Sequence, residues 1–142
     1  MSSPTVRITH CQDFAAAHRL HAPQLSSAEN LALYGPCNNL HGHNYRFEVT
    51  VEGPVDPVTG MVMNLNDLAE IMRTEIWQQV DHKNLCEDVP FLQGVVTTAE
   101  NLAIAFWQQL AAKQDCLAGS RLVRVRVVES PDNFVDYFGE SV

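Results

Sequence analysis

The sequence is short of positive charge. Nine Lys and Arg stand against seventeen Asp and Glu in 142 residues, a net charge of −8 at pH 7. Proteins that neutralise nucleic-acid phosphates carry the opposite balance, so no nucleic acid is expected as the main partner. The same shortage means that an anionic small substrate must be met by local cations or a metal, because the overall field repels it. No apolar run reaches the roughly 18 residues that span a membrane, so no membrane partner is expected. Met1 to Thr9 lacks the basic start and apolar centre of a secretory signal. Cysteines are few and scattered: Cys11, Cys37, Cys86 and Cys116 form no CxxC pair. That spacing favours free thiols and a reducing, cytoplasmic setting over a disulfide framework. Repeats, low-complexity tracts and linkers are also missing, which leaves a single domain over residues 1–142.

What is there is the mixture of a globular domain, 46% hydrophobic and 18% charged, unlike the composition of a disordered chain. Thr5 to Ala17, with Val6, Ile8, Phe14 and Ala16, reads as a strand whose phase shifts near Cys11, hence a bulged one. His21 to Asn39 is rich in Ser, Pro, Asn and Gly without a period and reads as a long functional loop. From Asn44 to Val55, Tyr45, Phe47, Val49 and Val51 alternate with Arg46, Glu48, Thr50 and Glu52, a half-buried strand. Pro54 to Gly60 is a turn.

A helix then starts at Asn64 or Asn66 as cap, with Leu68, Met72 and Ile76 as its stripe and Ile71 beside them. A second starts near Thr97, with Glu100 as the far half of a capping box. Its stripe is Leu102, Ala105, Phe106 and Leu110, and Gly119 follows its end. Leu122–Val128 and Phe134–Phe138 read as strands joined around Ser130-Pro131-Asp132-Asn133. The order β-β-α-α-β-β predicts an α+β fold, with two helices on one face of an antiparallel sheet. A sheet with open edges favours edge-to-edge association, so an oligomer is expected.

Three histidines carry the chemistry. His41 and His43 bracket a glycine at the entrance to the second strand. In extended chain such residues point the same way, roughly 6.5 Å apart along it. His18 ends the first strand in phase with Phe14 and Ala16. Three imidazoles with an open fourth position are the pattern of a catalytic zinc, although a lone His-x-His is also common at strand ends. Cys37, four residues before His41, fits three roles: a fourth ligand, a nucleophile or base, or a small buried residue. Asp81-His82 fits a proton relay, in which the carboxylate fixes the imidazole tautomer, or plain capping of a helix end. Glu129, after Val127 and Val128, can meet the N–H groups of a ligand or simply end a strand in solvent.

The assembled pattern resembles the family of 6-pyruvoyltetrahydropterin and 6-carboxytetrahydropterin synthases. The matching runs are Phe14-Ala-Ala-Ala-His18-Arg-Leu20, Cys37-Asn-Asn-Leu-His41-Gly-His43-Asn-Tyr45, Asp56-Pro-Val-Thr-Gly-Met-Val-Met-Asn-Leu65, Asp81-His-Lys-Asn-Leu85, Thr98-Ala-Glu-Asn101 and Val127-Val-Glu129. They follow in order from about residue 13 to the C-terminus. The resemblance implies a tunnelling fold, in which subunits close into a trimeric barrel and two trimers stack into a hexamer. It implies zinc on His18, His41 and His43, and a triad of Cys37, Asp81 and His82 shared between subunits. It further implies a pterin ring anchored by Glu129 with help from Thr98, and 7,8-dihydroneopterin triphosphate as substrate. Arg19 and Lys83, which flank matched residues, are the cations expected near the triphosphate.

Two reactions share the first proton abstraction. Three residues separate Cys37 from His41, a spacing similar to that of the carboxy-forming enzymes of the queuosine pathway, which expel acetaldehyde as well as triphosphate. Ser27–Leu31 and Thr59–Leu65 resemble the pyruvoyl-forming type, and the reading leans that way. The other classes open at this point are a non-catalytic zinc or pterin-binding protein of the same fold, and an aldolase or cyclohydrolase of the same superfamily.

Overall fold

Two long strands form the spine of the protein, seen here in a computed structural model that describes residues 3–140. The ends of the expected 1–142 domain, residues 1–2 and 141–142, lie outside the described residues. β1 (Thr5–His18) and β2 (His41–Pro54) pair antiparallel over all 14 residues of each, from Thr5 opposite Pro54 to His18 opposite His41. Because side chains alternate along a strand, Phe14, Ala16 and His18 of β1 are buried on one face with Tyr45, Phe47, Val49 and Val51 of β2. The register is unbroken, so the bulge expected near Cys11 is absent. His10 and Gln12 hold the same phase as Ile8 and Phe14, and only their polarity disguises it.

β4 (Arg121–Ser130) pairs antiparallel with β2, and β5 (Asn133–Tyr137) with β4, with irregularities at Thr50/Val51 and between Val128 and Ser130. The outer edge of β1 carries a short strand that sequence reading did not find, β3 (Lys83–Asn84), which runs parallel to it. The order is β3-β1-β2-β4-β5. The sheet is therefore antiparallel except at one edge, and two residues are too few to display a period.

The expected loop after β1 holds a helix, α1 (Ser27–Tyr34), and a 3₁₀ turn over Gly35–Asn38. Ser26 and Glu29 form a capping box, and the buried Asn30 side chain bonds the backbone of Ala22, Leu25 and Ser26. α2 (Leu65–Met72) starts at the Asn64 cap and runs through a π-helical turn, Arg73–Trp77, into α3 (Gln78–Val80). α4 (Ala99–Ala111) is capped by Thr98, one residue later than expected. The third helical position is then Asn101, whose N–H donates to Thr98 Oγ1, so Glu100 completes no capping box. A 3₁₀ turn, Gln114–Cys116, separates α4 from Gly119, whose φ is +77°.

The long helices cover one face of the sheet. Phe106 of α4 meets Phe47 edge-on at 5.3 Å, while Phe14 stacks on Tyr45 at 4.8 Å. Leu68, Met72, Ile76, Leu102 and Leu110 complete the centre of this core. All four cysteines are free thiols. Among the described residues, no helix is long and apolar enough to cross a membrane.

Candidate active site and metal centre

The end of β1 and the start of β2 bring the three predicted histidines together. His18 pairs opposite His41, and His43 lies opposite Ala16 on the same face. Ring centroids are 4.6 Å apart for His18–His41, 5.2 Å for His18–His43 and 5.0 Å for His41–His43. One nitrogen of each lies within 4.8 Å of the others, so the group can hold a metal ion.

The second partners of the rings match that role. His18 is buried, and its Nδ1 sits 2.8 Å from the Thr97 carbonyl oxygen. A proton on Nδ1 donates there and leaves Nε2 as a free lone pair. Burial pushes the His18 pKa down to about 4 and lowers that of His43 as well, so both rings are neutral at pH 7, as a ligand must be. His41 Nδ1 is 2.7 Å from the Asn39 carbonyl oxygen. His43 Nε2 is buried and, among the described residues, has no hydrogen-bond partner, an orphaned polar atom of the kind that a metal satisfies. A borderline-soft divalent ion such as zinc fits three neutral imidazoles. Cys37 is not part of this group, which leaves the fourth position open.

Sequence reasoning missed two supports of the cluster. One is the buried Thr97, which receives His18. The other is Tyr45, whose hydroxyl lies 3.4 Å from His18 Nδ1 and 3.3 Å from Nε2. Nearly equal distances put it over the imidazole face rather than on one lone pair. Its strand phase, shared with His41 and His43, is the signal that points to it; Thr97 has no such signal.

Glu129 stands on β4 with Oε1 at 3.9 Å from His43 Nε2. Together with Thr98, Leu20 and Phe134 it lines a cleft of about 370 Å³. Thr98 contributes to this wall while its hydroxyl caps α4.

Asp81 and His82 sit at the outer edge of β1, beside Ala15. Asp81 Oδ1 accepts the Ala15 N–H at 3.0 Å, and Oδ2 is 2.7 Å from His82 Nδ1. The carboxylate accepts a hydrogen bond from Nδ1–H, which holds that tautomer and turns Nε2 outward. The His82 ring is 81% exposed. It borders clefts of about 660 and 510 Å³ with Ala15 and Asn44, and His43 also lines the smaller one. Lys83 lines the smaller of these clefts.

Cys37 is exposed in the turn before β2, where its carbonyl accepts the Leu20 N–H at 2.8 Å. Arg19 is tied to the same turn, its Nε donating to the Asn38 carbonyl at 3.1 Å. Among the described residues of this one chain, no hydrogen bond joins Cys37 to Asp81 or His82. Within one chain the structure thus assembles the histidines with Glu129, and Asp81 with His82; the triad with Cys37 is expected between subunits, which a single chain does not show.

Residues 7–140 match the family described as 6-pyruvoyl tetrahydropterin synthase. The chain belongs to that family. Among members of the 6-pyruvoyl tetrahydropterin synthase family, a 6-pyruvoyl tetrahydrobiopterin synthase of Poecilia reticulata is 50% identical over 135 residues, 94% of this chain and 90% of that one. The Homo sapiens protein of the same name is 50% identical over 129 residues, 89% of this chain and 87% of its own. The solved structure of Caenorhabditis elegans 6-pyruvoyl tetrahydropterin synthase superposes with a TM-score of 0.91 at 39% identity and covers 99% of each chain. A protein of Archaeoglobus fulgidus that carries the name of a 6-carboxy-5,6,7,8-tetrahydropterin synthase is 32% identical over 111 residues, 78% of this chain and 86% of its own.

Proposed function

We propose that the protein is a zinc-dependent lyase that converts 7,8-dihydroneopterin triphosphate to 6-pyruvoyltetrahydropterin with elimination of triphosphate. The observation that carries this reading is the three-histidine cluster with an open side that faces Glu129. Relatives at 50% identity are named for pyruvoyl formation, which favours that product over the carboxy one.

His18, His41 and His43 would hold the zinc, which would supply Lewis-acid polarisation of the substrate's side-chain oxygens. Glu129 accepts N–H donors from the pterin edge, assisted by Thr98, and so fixes the ring beside the cluster. Cys37, as thiolate, takes the proton from the side-chain carbon next to the ring. His82, held by Asp81 with its Nε2 free, moves protons to and from the side-chain oxygens. The electron pair left on that carbon moves into the dihydropterin ring, which takes up a proton and reaches the tetrahydro level as the carbinol becomes a ketone. Loss of a second proton, from the carbon next to the one that bears the ester, then breaks the C–O bond to triphosphate, and Arg19 and Lys83 attend the anion that leaves. Because no hydrogen bond within one chain joins Cys37 to the Asp81–His82 pair among the described residues, the proposed site is completed between subunits, in keeping with a hexamer built from two trimers. Free cysteines suit a cytoplasmic enzyme.

The second reading is 6-carboxytetrahydropterin formation from the same substrate, favoured by the three residues between Cys37 and His41. Mass spectrometry of the product decides between them. A pyruvoyl product with triphosphate supports the proposal; a carboxy product with acetaldehyde replaces it with the second reading, and no turnover of this substrate overturns both.

A further inference from the structure

The helical segment that leads to Asp81 is not uniform, and its irregularity has a geometric purpose. Leu68, Met72, Ile76 and Val80 are each four residues apart and all fully buried. At about 100° per residue, steps of four carry such a row around a straight α-helix by roughly 40° each, so Val80 would stand about 120° from the line of Leu68. The looser π-helical turn at Arg73–Trp77 takes up most of that drift and returns Val80 to the core. Its widened backbone is completed from nearby: Gln78 N–H reaches Arg73 O, Thr74 Oγ1 donates to Glu70 O at 3.0 Å, and Gln79 Nε2 donates to Glu75 O at 3.0 Å.

The same turn aims Trp77 at the outer edge of β1. Its indole Nε1–H donates to Asp13 O at 3.0 Å. The next outward groups along that edge are taken in order: Ala15 N–H by Asp81 Oδ1 at 3.0 Å, Ala15 O by His82 N–H at 2.6 Å, and Ala17 O by Leu85 N–H at 2.8 Å. Within this row His82 has φ +60°, a left-handed conformation that a non-glycine residue keeps only when its surroundings hold it. The row starts at Trp77, which leaves no slack between the helix and the strained residue.

We infer that Trp77 is a positioning residue for the Asp81–His82 pair, and that its bond to Asp13 O sets where the His82 imidazole stands. This rests on the reading of His82 as the group that moves protons.

Trp77→Phe keeps a ring against the core and removes the donor. A tryptophan isostere at position 77, with sulfur in place of the indole N–H, also keeps the shape, so it serves even where the phenylalanine variant fails to fold. The readouts are the fraction of His82 in the Nδ1–H tautomer, from ¹⁵N NMR of histidine-labelled protein, and kcat and KM taken separately. Both variants are expected to lower the tautomer fraction and to cut kcat about tenfold with KM within about twofold, as a displaced catalytic group does. An unchanged tautomer fraction in the isostere protein means that Trp77 only packs, and overturns the inference even if kcat falls. His82→Ala with undiminished kcat would instead overturn the proton-transfer reading, while the tautomer measurement on the isostere protein still decides what Trp77 does.

Discussion

His43 Nε2 and Glu129 Oε1 face each other at 3.9 Å, adjacent but too far apart for a hydrogen bond. Among the described residues His43 Nε2 has no hydrogen-bond partner, and at that distance from Glu129 a metal on the histidine and a ring on the carboxylate would be immediate neighbours. Glu129→Ala removes the acceptor for the pterin N–H donors and strands them in the site, at roughly 1–3 kcal/mol. KM is expected to rise about tenfold or more while zinc content stays at the wild-type level. Steady-state kinetics with metal analysis of the same samples checks both halves. An unchanged KM would make Glu129 only the end of a strand.

Metal removal tests the cluster itself. The wild-type protein is expected to hold about one zinc per subunit, and an open three-ligand site has no spare donor. His41→Ala should therefore come out of dialysis against a weak chelator largely free of zinc, as measured by atomic absorption, with turnover lost. Stoichiometric zinc in that variant would strike His41 from the ligand set.

The cluster was legible because strand periodicity is short and strict. His18 shares its parity with Phe14 and Ala16, and His41 and His43 share theirs with Tyr45 and Phe47, so their common face follows from the sequence. The rest was hidden for local reasons. α1 turns Leu31 and Leu33 outward and displays no apolar stripe. β3 has two residues. The π-helical turn left a trace, since Leu68, Met72, Ile76 and Val80 keep a spacing that a straight helix cannot hold to one face. The seat of His82 depends on backbone bonds to Ala15, 67 residues earlier in the chain (82 − 15), and no local pattern encodes such a contact.

The polar face of the sheet carries a pH-dependent pair. Arg126 clasps Asp136 with Nε at 2.6 Å and Nη2 at 2.9 Å, and its guanidinium lies 4.1 Å from the Phe134 ring centroid. The hydrogen bonds from Arg126 hold the Asp136 carboxyl below its usual value of 3.8. A depressed carboxylate pKa means that the unfolded chain takes up its proton first, so the pair's contribution is present above that value and is lost as pH falls through the folded one. Asp136→Asn is expected to cost about 1 kcal/mol at pH 7. Urea unfolding of both proteins across pH should show the gap closing below 3.8; a gap that persists undiminished into strong acid would assign the loss to packing.

Assembly gives the most exposed prediction. Asp81 and His82 hang from the outer edge of β1 beside Ala15, while the three histidines gather where β1 ends and β2 begins. Base and relay must come within hydrogen-bond reach of one substrate, roughly 2.6–3.2 Å, and within a single chain no hydrogen bond among the described residues links Cys37 to either member of the pair. If neighbouring subunits supply the two parts, Cys37→Ala and His82→Ala proteins are each inactive alone, yet mixed oligomers contain some sites with both residues intact. Co-expression of the two variants should therefore restore a fraction of wild-type turnover, whereas mixing without subunit exchange should restore none. The hetero-oligomers are verified by native mass spectrometry before assay. Mixed assemblies that are confirmed and still dead would place the whole triad within one chain.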